Sequence, residues 1–250
     1  MTESFVLQMN RELQSLGIAL TDEQMDQFFR YYALLVEKNK VMNLTAITEE
    51  HEVVTKHFVD SLSPVLLFPE WKERAEKKIS IMDVGTGAGF PGIPLKIAFP
   101  GHEITLLDSL NKRVRFLEDV CKDLRLKGIK AVHGRAEDFG RDAAYREKFD
   151  FCVSRAVAHL AVLSEYCMPF VKVGGILVSY KSGDVKNEAA EAENAVRLLG
   201  GRVEQIYSFV LPETEMKRSF VVIRKEKATA KRFPRKAGLP SKEPLLNAVN

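Results

Sequence analysis

The stretch Ile81-Met82-Asp83-Val84-Gly85-Thr86-Gly87-Ala88-Gly89-Phe90-Pro91-Gly92 constrains this chain more than any other. An apolar run ends in an acid, and a glycine-rich turn follows. Pro91 stands where a helix would begin, with φ already suited to a first turn and no N–H to satisfy. The spacing predicts strand, tight turn, helix. Glycines admit positive φ and leave no Cβ between the backbone and a ligand. The positive end of the following helix faces the same space.

Two ligand classes use such a turn. Gly87-x-Gly89-x-x-Gly92 has dinucleotide spacing, which points to NAD. Asp83-x-Gly85-x-Gly87-x-Gly89, with its acid ahead of the first glycine, resembles motif I of class I S-adenosylmethionine (SAM) methyltransferases. A carboxylate there can face the ammonium of the methionine moiety and would repel a pyrophosphate. The acid favours SAM, with an unliganded structural turn as the bland alternative.

At 250 residues, 46% hydrophobic and 28% charged, the chain has mass for one α/β domain with an appendage. Met1-Thr2-Glu3-Ser4 lacks a basic, then apolar, leader pattern, and no apolar run reaches membrane-spanning length. A cytoplasmic protein is expected. Cys121, Cys152 and Cys167 are odd in number and lack C-x-x-C spacing, as for core thiols in a reducing compartment. His51, His57, His102, His133 and His159 form no metal-ligand spacing with them, so no metal is expected. Charge is uneven. From Lys217 to Lys242 ten cations face one acid, Glu226, a local +9 that leaves −6 to the rest of a chain totalling +3. That asymmetry points to a polyanion partner, against a merely solvated tail.

Residues 1–75 are predicted to form a helical extension packed on the core. Thr21 and Gln24 have capping-box spacing, and Met25, Phe28, Phe29, Tyr32, Leu35 and Val36 trace an apolar stripe. A second amphipathic helix spans Glu49–Leu62, and the charged Trp71–Lys78 segment leads into residues 76–226, where strand and helix alternate. Strands are predicted at Ile79–Asp83, Glu103–Asp108, Lys130–His133, Phe149–Ser154 and Ile176–Tyr180, the last set off by Gly174-Gly175. Helices are expected at Pro91–Ala98, Asn111–Leu126, His159–Met168 and Asp184–Leu199. A closing hairpin, Val203–Val210 with Phe220–Arg224, predicts a mostly parallel seven-stranded sheet with an antiparallel end, a Rossmann-like methyltransferase arrangement rather than a dinucleotide fold. Residues 227–250 read as an extended or flexible basic tail.

Ligands of open α/β sheets lie beyond the carboxyl ends of the strands. Asp108 is placed to accept from ribose hydroxyls or to cap the next helix, and Phe90 to pack on the cofactor or in the core. Glu137 could take an adenine amine while the Ala136–Glu137 backbone reads the ring edge. Arg155 stands where amino-methylating enzymes carry an Asn/Asp-Pro-Pro-aromatic motif, and suits a carboxylate, phosphate or guanine O6. His57 is a candidate positioning group, and Lys181 a candidate phosphate contact.

Asn43-Leu44-Thr45, Lys56-His57-Phe58-Val59-Asp60-Ser61-Leu62, the Asp83–Gly92 loop, Gly134-Arg135-Ala136-Glu137 and Ser154-Arg155-Ala156-Val157-Ala158 together resemble the RsmG (GidB) family of bacterial 16S rRNA guanine-N7 methyltransferases. So does the ending Pro234-Arg235-Lys236-Ala237-Gly238-Leu239-Pro240-Ser241-Lys242-Glu243-Pro244-Leu245. Lys56 departs from the arginine expected before the histidine; charge is kept, bidentate geometry is not. The resemblance implies SAM contacts at Gly85, Phe90, Ala136, Glu137 and Arg155, with S-adenosylhomocysteine as product. It also implies a 16S rRNA, small-subunit or assembly-intermediate substrate. We expect a monomer. Guanine N7 carries a lone pair and no proton, so no general base is expected. A nicotinamide oxidoreductase and a noncatalytic RNA-binding module are the alternatives.

Overall fold

The computed structural model describes residues 1–72, 78–155 and 158–246; the expected 75/76 boundary, Ala156 and Val157 lie outside them. Helix α1 (Glu3–Ser15) is capped by Thr2 and buries Phe5, Met9 and Leu13, a helical spacing. In α2 (Asp22–Met42) the capping box forms: Gln24 N donates to Thr21 Oγ1 at 3.2 Å, and Thr21 N to Gln24 Oε1 at 2.9 Å. Its buried face is Met25, Phe28, Tyr31 and Leu35, so Tyr31 lies inside, while Phe29 and Tyr32 pack at the edge. Each fully buried aromatic contributes about 2–3 kcal/mol. The Tyr31 hydroxyl donates to Ala88 O at 2.5 Å, fastening α2 to the glycine loop.

The second amphipathic helix has three parts: α3 (Glu50–Val53), a π-helical turn (Val54–Val59) and α4 (Asp60–Leu62). Helical π turns frequently mark functional sites. This one buries Thr55, His57 and Phe58, and Asp60 follows it, also buried.

The α/β unit then runs β1 (Ser80–Val84), α5 (Gly92–Ala98), β2 (Glu103–Asp108), α6 (Asn111–Asp123), β3 (Ile129–His133), α7 (Ala136–Phe139) and β4 (Phe149–Arg155). It continues through α8 (Leu160–Cys167), β5 (Val171–Ser182), α9 (Lys186–Glu191), α10 (Glu193–Leu198), β6 (Gly201–Val210) and β7 (Lys217–Lys225). The seven strands order β3-β2-β1-β4-β5-β7-β6; β7 alone lies antiparallel between its neighbours β5 and β6. This is the Rossmann-like class I SAM methyltransferase fold. The N-terminal helices, α5 and α6 cover one face of the sheet, and α8, α9 and α10 the other.

Strand β5 is longer than expected. Phe149 pairs with Val171 and Phe151 with Ile176, so Gly174-Gly175 sits in a bulge inside the strand instead of ending it.

The tail is docked, contrary to the expectation of an extended segment. Phe233 is buried in the second core, and Arg235 makes a two-pronged ion pair with buried Glu165 (2.7 and 3.0 Å among its bonds). Arg146 donates to the carbonyls of Thr229 and Phe233. Gly238 N then donates to Glu137 Oε1 at 2.8 Å, and the short α11 (Leu239–Lys242) buries Pro240. The local charge excess is also reduced in space, because Arg218, Arg224, Lys225 and Arg235 pair with Asp60, Glu204, Glu147 and Glu165. Lys217, Lys227, Lys231, Arg232, Lys236 and Lys242 remain exposed.

Candidate active site

The glycine loop leaves the carboxyl end of β1, where β2 and β4 flank it. Gly85 N and Thr86 N both donate to Leu107 O, at 2.9 and 3.2 Å. Asp83 is fully buried and clasps both ends of the loop: its Oδ2 accepts from Thr86 Oγ1 (2.7 Å) and Gly92 N (2.8 Å). Gly92 has no room for a side chain, since a Cβ would lie 2.2 Å from Leu106 Cδ2. Gly87 differs: at φ +62° its missing Cβ would meet nothing within 4 Å, which leaves bare backbone open to a ligand. The helix starts at Gly92, with Pro91 as its cap rather than its first residue.

Asp83 Oδ1, though buried, has no hydrogen-bond partner among the described residues. Burial pushes the carboxyl up to about 7 against the downward pull of Thr86, Gly92 N–H and Arg155. An idle carboxylate oxygen at the carboxyl end of β1 fits a ligand ammonium. The residues present therefore suit SAM.

Asp108 Oδ2 accepts from Gly87 N (2.9 Å) and Oδ1 from Leu110 N (2.9 Å), so it braces the loop and the entry to α6. A ribose hydroxyl would have to share these oxygens. Ala136 opens α7, and Glu137 behind it is 5% exposed, with Oε1 held by Gly238 N. The tail thus occupies one oxygen of the acid expected to meet adenine.

Arg155 closes β4 and organises a cluster. Its Nη1 donates to Lys56 O (3.0 Å) and Asp60 Oδ2 (3.1 Å), and its Nη2 lies 3.2 Å from His57 Nδ1. Asp60 Oδ1 accepts from Arg218 Nε at 3.1 Å, so one carboxylate bridges two arginines. The His57 ring stacks on Phe90 at 4.4 Å between centroids, the Arg155 guanidinium lies 5.0 Å from the same ring, and Tyr31 packs at 5.4 Å. Phe90 is thereby a hinge between loop and cluster, 5% exposed. Nδ1 of His57 lies 3.2 Å from Lys56 O as well as from Arg155 Nη2, and Nε2 lies 2.8 Å from Thr45 Oγ1, so the ring is tied on both edges. Burial first, then the Arg155 charge, lowers His57 to about 3. The imidazole is neutral.

Asp60, Arg218, Thr45 and Tyr31 were not among the expected site residues. Asp60 and Thr45 lie in two of the motifs that carry the family resemblance, and Asp60 also has i,i+3 spacing from His57 on one helix. Arg218 and Tyr31 arrive through tertiary packing. Lys181, expected as a phosphate contact, is paired within the chain: its Nζ donates to Glu188 Oε1 (2.6 Å) and Ala158 O (2.7 Å), and the side chain is 12% exposed. Its charge is already neutralised. Burial raises Cys121 to about 12 and Cys152 well above the ordinary thiol range, so both stay protonated and neither is an activated nucleophile. Among the described residues no group of three or more His, Cys, Asp or Glu could hold a metal ion.

The family described as GidB, rRNA small subunit methyltransferase G, matches residues 24–219. The ribosomal RNA small subunit methyltransferase G of Brevibacillus brevis is 50% identical over 234 residues, covering 94% of this chain and 96% of that one. Its counterpart from Alkaliphilus oremlandii is 52% identical over 232 residues, with 93% and 95% covered. Solved structures share the fold at low identity. A Galdieria sulphuraria protein described as a sarcosine dimethylglycine methyltransferase gives a TM-score of 0.52 at 14% identity, covering 71% of this chain and 88% of that one. TrmN from Thermus thermophilus gives 0.50 at 12%, covering 69% and 53%. With a match of this extent, the chain belongs to the rRNA small subunit methyltransferase G family.

Proposed function

We propose that this chain methylates N7 of a guanine in 16S rRNA, using SAM and no general base. The observation that carries the reading is the meeting of the glycine loop with Arg155 and a neutral His57 at the ring of Phe90. Asp83, Gly85, the open backbone at Gly87, Asp108, Ala136 and Glu137 are the residues that would hold SAM. SAM supplies an electrophilic sulfonium methyl group.

The chain's own contribution is positional. Guanine N7 has an in-plane lone pair and no proton, so a base is not required. His57, held neutral, has no proton duty and serves to fix Arg155 and Phe90. The Arg155 guanidinium matches guanine O6 or a phosphate, and Asp60 keeps it oriented. Holding two reactants in line accounts for much of the barrier lowering in such a reaction. A guanine in stacked RNA must first leave the stack. Exposed Lys227, Lys231, Arg232 and Lys236 supply salt-sensitive phosphate attraction that reads no sequence. The substrate would be the RNA, the small subunit or its assembly intermediate, in the cytoplasm.

The test is incubation with methyl-labelled SAM and unmodified small-subunit RNA. Label should enter the RNA. Tight RNA binding with no transfer would assign a binding module instead, and calorimetric affinity for NADH but not SAM would assign an oxidoreductase.

A further inference from the structure

A cavity of about 390 Å³ lies between α1, the π-helical turn and the β6–β7 connection. Glu12, Thr55, Lys56, Thr214 and Met216 are among its lining residues, with Arg11 beside them. Glu12 is only 1% exposed, a rare state for a carboxylate. Its Oε1 accepts from Gln8 Nε2 (2.7 Å) and Thr55 Oγ1 (2.9 Å), whereas its Oε2 is buried with no partner among the described residues. Burial raises the carboxyl above its ordinary range, against the pull of Gln8 and Thr55. A buried acceptor left idle destabilises the fold, and a donor from a ligand would recover that loss.

The other charges here are spoken for. Arg11 pairs with Glu213 at 3.5 Å, and Lys56 pairs with Glu52. What Glu12 Oε2 lacks is a hydrogen-bond donor. It is also next to the candidate active site: Lys56 lines the cavity, its carbonyl is held by Arg155, and the next residue is His57. Unstacked RNA bases are read on their polar edges by side chains, and a glutamate accepts from an exocyclic amino group. Met216 offers an apolar surface for the ring face.

We propose that this cavity receives a second, amino-bearing nucleobase of the substrate RNA, splayed out beside the target guanine, with Glu12 Oε2 accepting from its amino group. The inference rests on the RNA reading above. Binding, measured apart from methyl transfer, distinguishes its failure from the failure of that reading.

The experiment is missing-base interference. Small-subunit RNA carrying about one abasic position per molecule is partitioned into bound and free fractions with wild type, Glu12→Gln and Arg11→Trp. Glu12→Gln keeps an oxygen for Gln8 and Thr55 and replaces only the idle acceptor with a donor. Arg11→Trp narrows the cavity mouth from an exposed position and keeps Glu12 intact, so it serves should the first variant lose its fold. We expect one wild-type interference position to disappear in both variants, with RNA affinity weakened about tenfold. An interference pattern that persists unchanged in either folded variant would overturn the proposal, whatever the affinity. A wild type that binds RNA with this pattern but transfers no methyl would fail the enzymatic reading and leave the base pocket standing.

Discussion

Arg155 Nη2 lies 3.2 Å from Nδ1 of His57, and both side chains pack against the ring of Phe90. A strand end, a π-helical turn and the glycine loop are joined by this contact. Disturbing any one of them should register at the same place.

Replacing Arg155 with alanine should reduce methyl transfer by about 10²-fold, the scale of a misplaced reacting group. Stability should fall much less, because Asp60 keeps Arg218 as a partner. Arg155→Lys should recover little, since a single ammonium nitrogen lacks the planar fork whose two nitrogens reach Lys56 O and Asp60 on one side and His57 on the other. Steady-state kinetics alongside thermal unfolding checks this; transfer near the wild-type rate in Arg155→Ala would remove its proposed role.

Asp83→Asn should separate stability from binding. The folded carboxyl, at about 7, lies above its ordinary 3.8, so the folded state holds a proton the unfolded chain releases. Stability is therefore lost as pH rises through that window, and a neutral amide escapes the loss. Above pH 7 the ligand-free variant should unfold at a higher temperature than wild type, while SAM affinity, read by calorimetry, falls at least about tenfold. Unchanged SAM affinity would exclude the carboxylate from the ammonium site.

His57 carries the opposite sign. Its folded pKa of about 3 lies below the ordinary 6.5, so between those values the unfolded chain takes up a proton that the fold refuses. Stability is full above about 6.5 and lost as pH falls toward 3. His102, lowered to about 4 by burial, acts in the same direction. Wild type should lose about 2 kcal/mol more than His57→Asn between pH 7 and 5. Urea midpoints across that range measure it, and parallel curves would show that His57 titrates normally.

In the tail, charge and docking should come apart. Substituting Lys231, Arg232, Lys236 and Lys242 with alanine should flatten the salt dependence of RNA binding by roughly 1–3 units of slope, at unchanged stability. Arg235→Ala should instead cost about 3 kcal/mol, because it strands the buried Glu165 carboxylate. An unchanged salt slope in the fourfold variant would return those residues to simple solvation.

Much of this architecture was legible in the chain. The acid ahead of the glycines, the period change near Ile79 and the closing hairpin sufficed for the sheet and its antiparallel end. Thr21 and Gln24 announced the start of α2 because a capping box is local. Local signals failed where partners are distant. Gly174-Gly175 looks like a break, yet the ladder continues past its bulge. The tail reads as extended or flexible, because Glu165 and Glu137, which hold Arg235 and Gly238, lie far upstream. Lys181 looked free until Glu188 folded against it. Asp60 joins Arg155 to Arg218 across separations that periodicity does not report.

The most direct test of the central claim is to locate the transferred methyl. Small-subunit RNA from cells lacking the protein, treated with the pure chain and SAM, should gain one methyl, and nuclease fragments read by mass spectrometry should place it on a guanine. Borohydride and aniline should then cut the strand there, as N7-methylguanosine requires. A methyl on an exocyclic amine, a ribose or a pyrimidine carbon, resistant to that cleavage, would contradict the account.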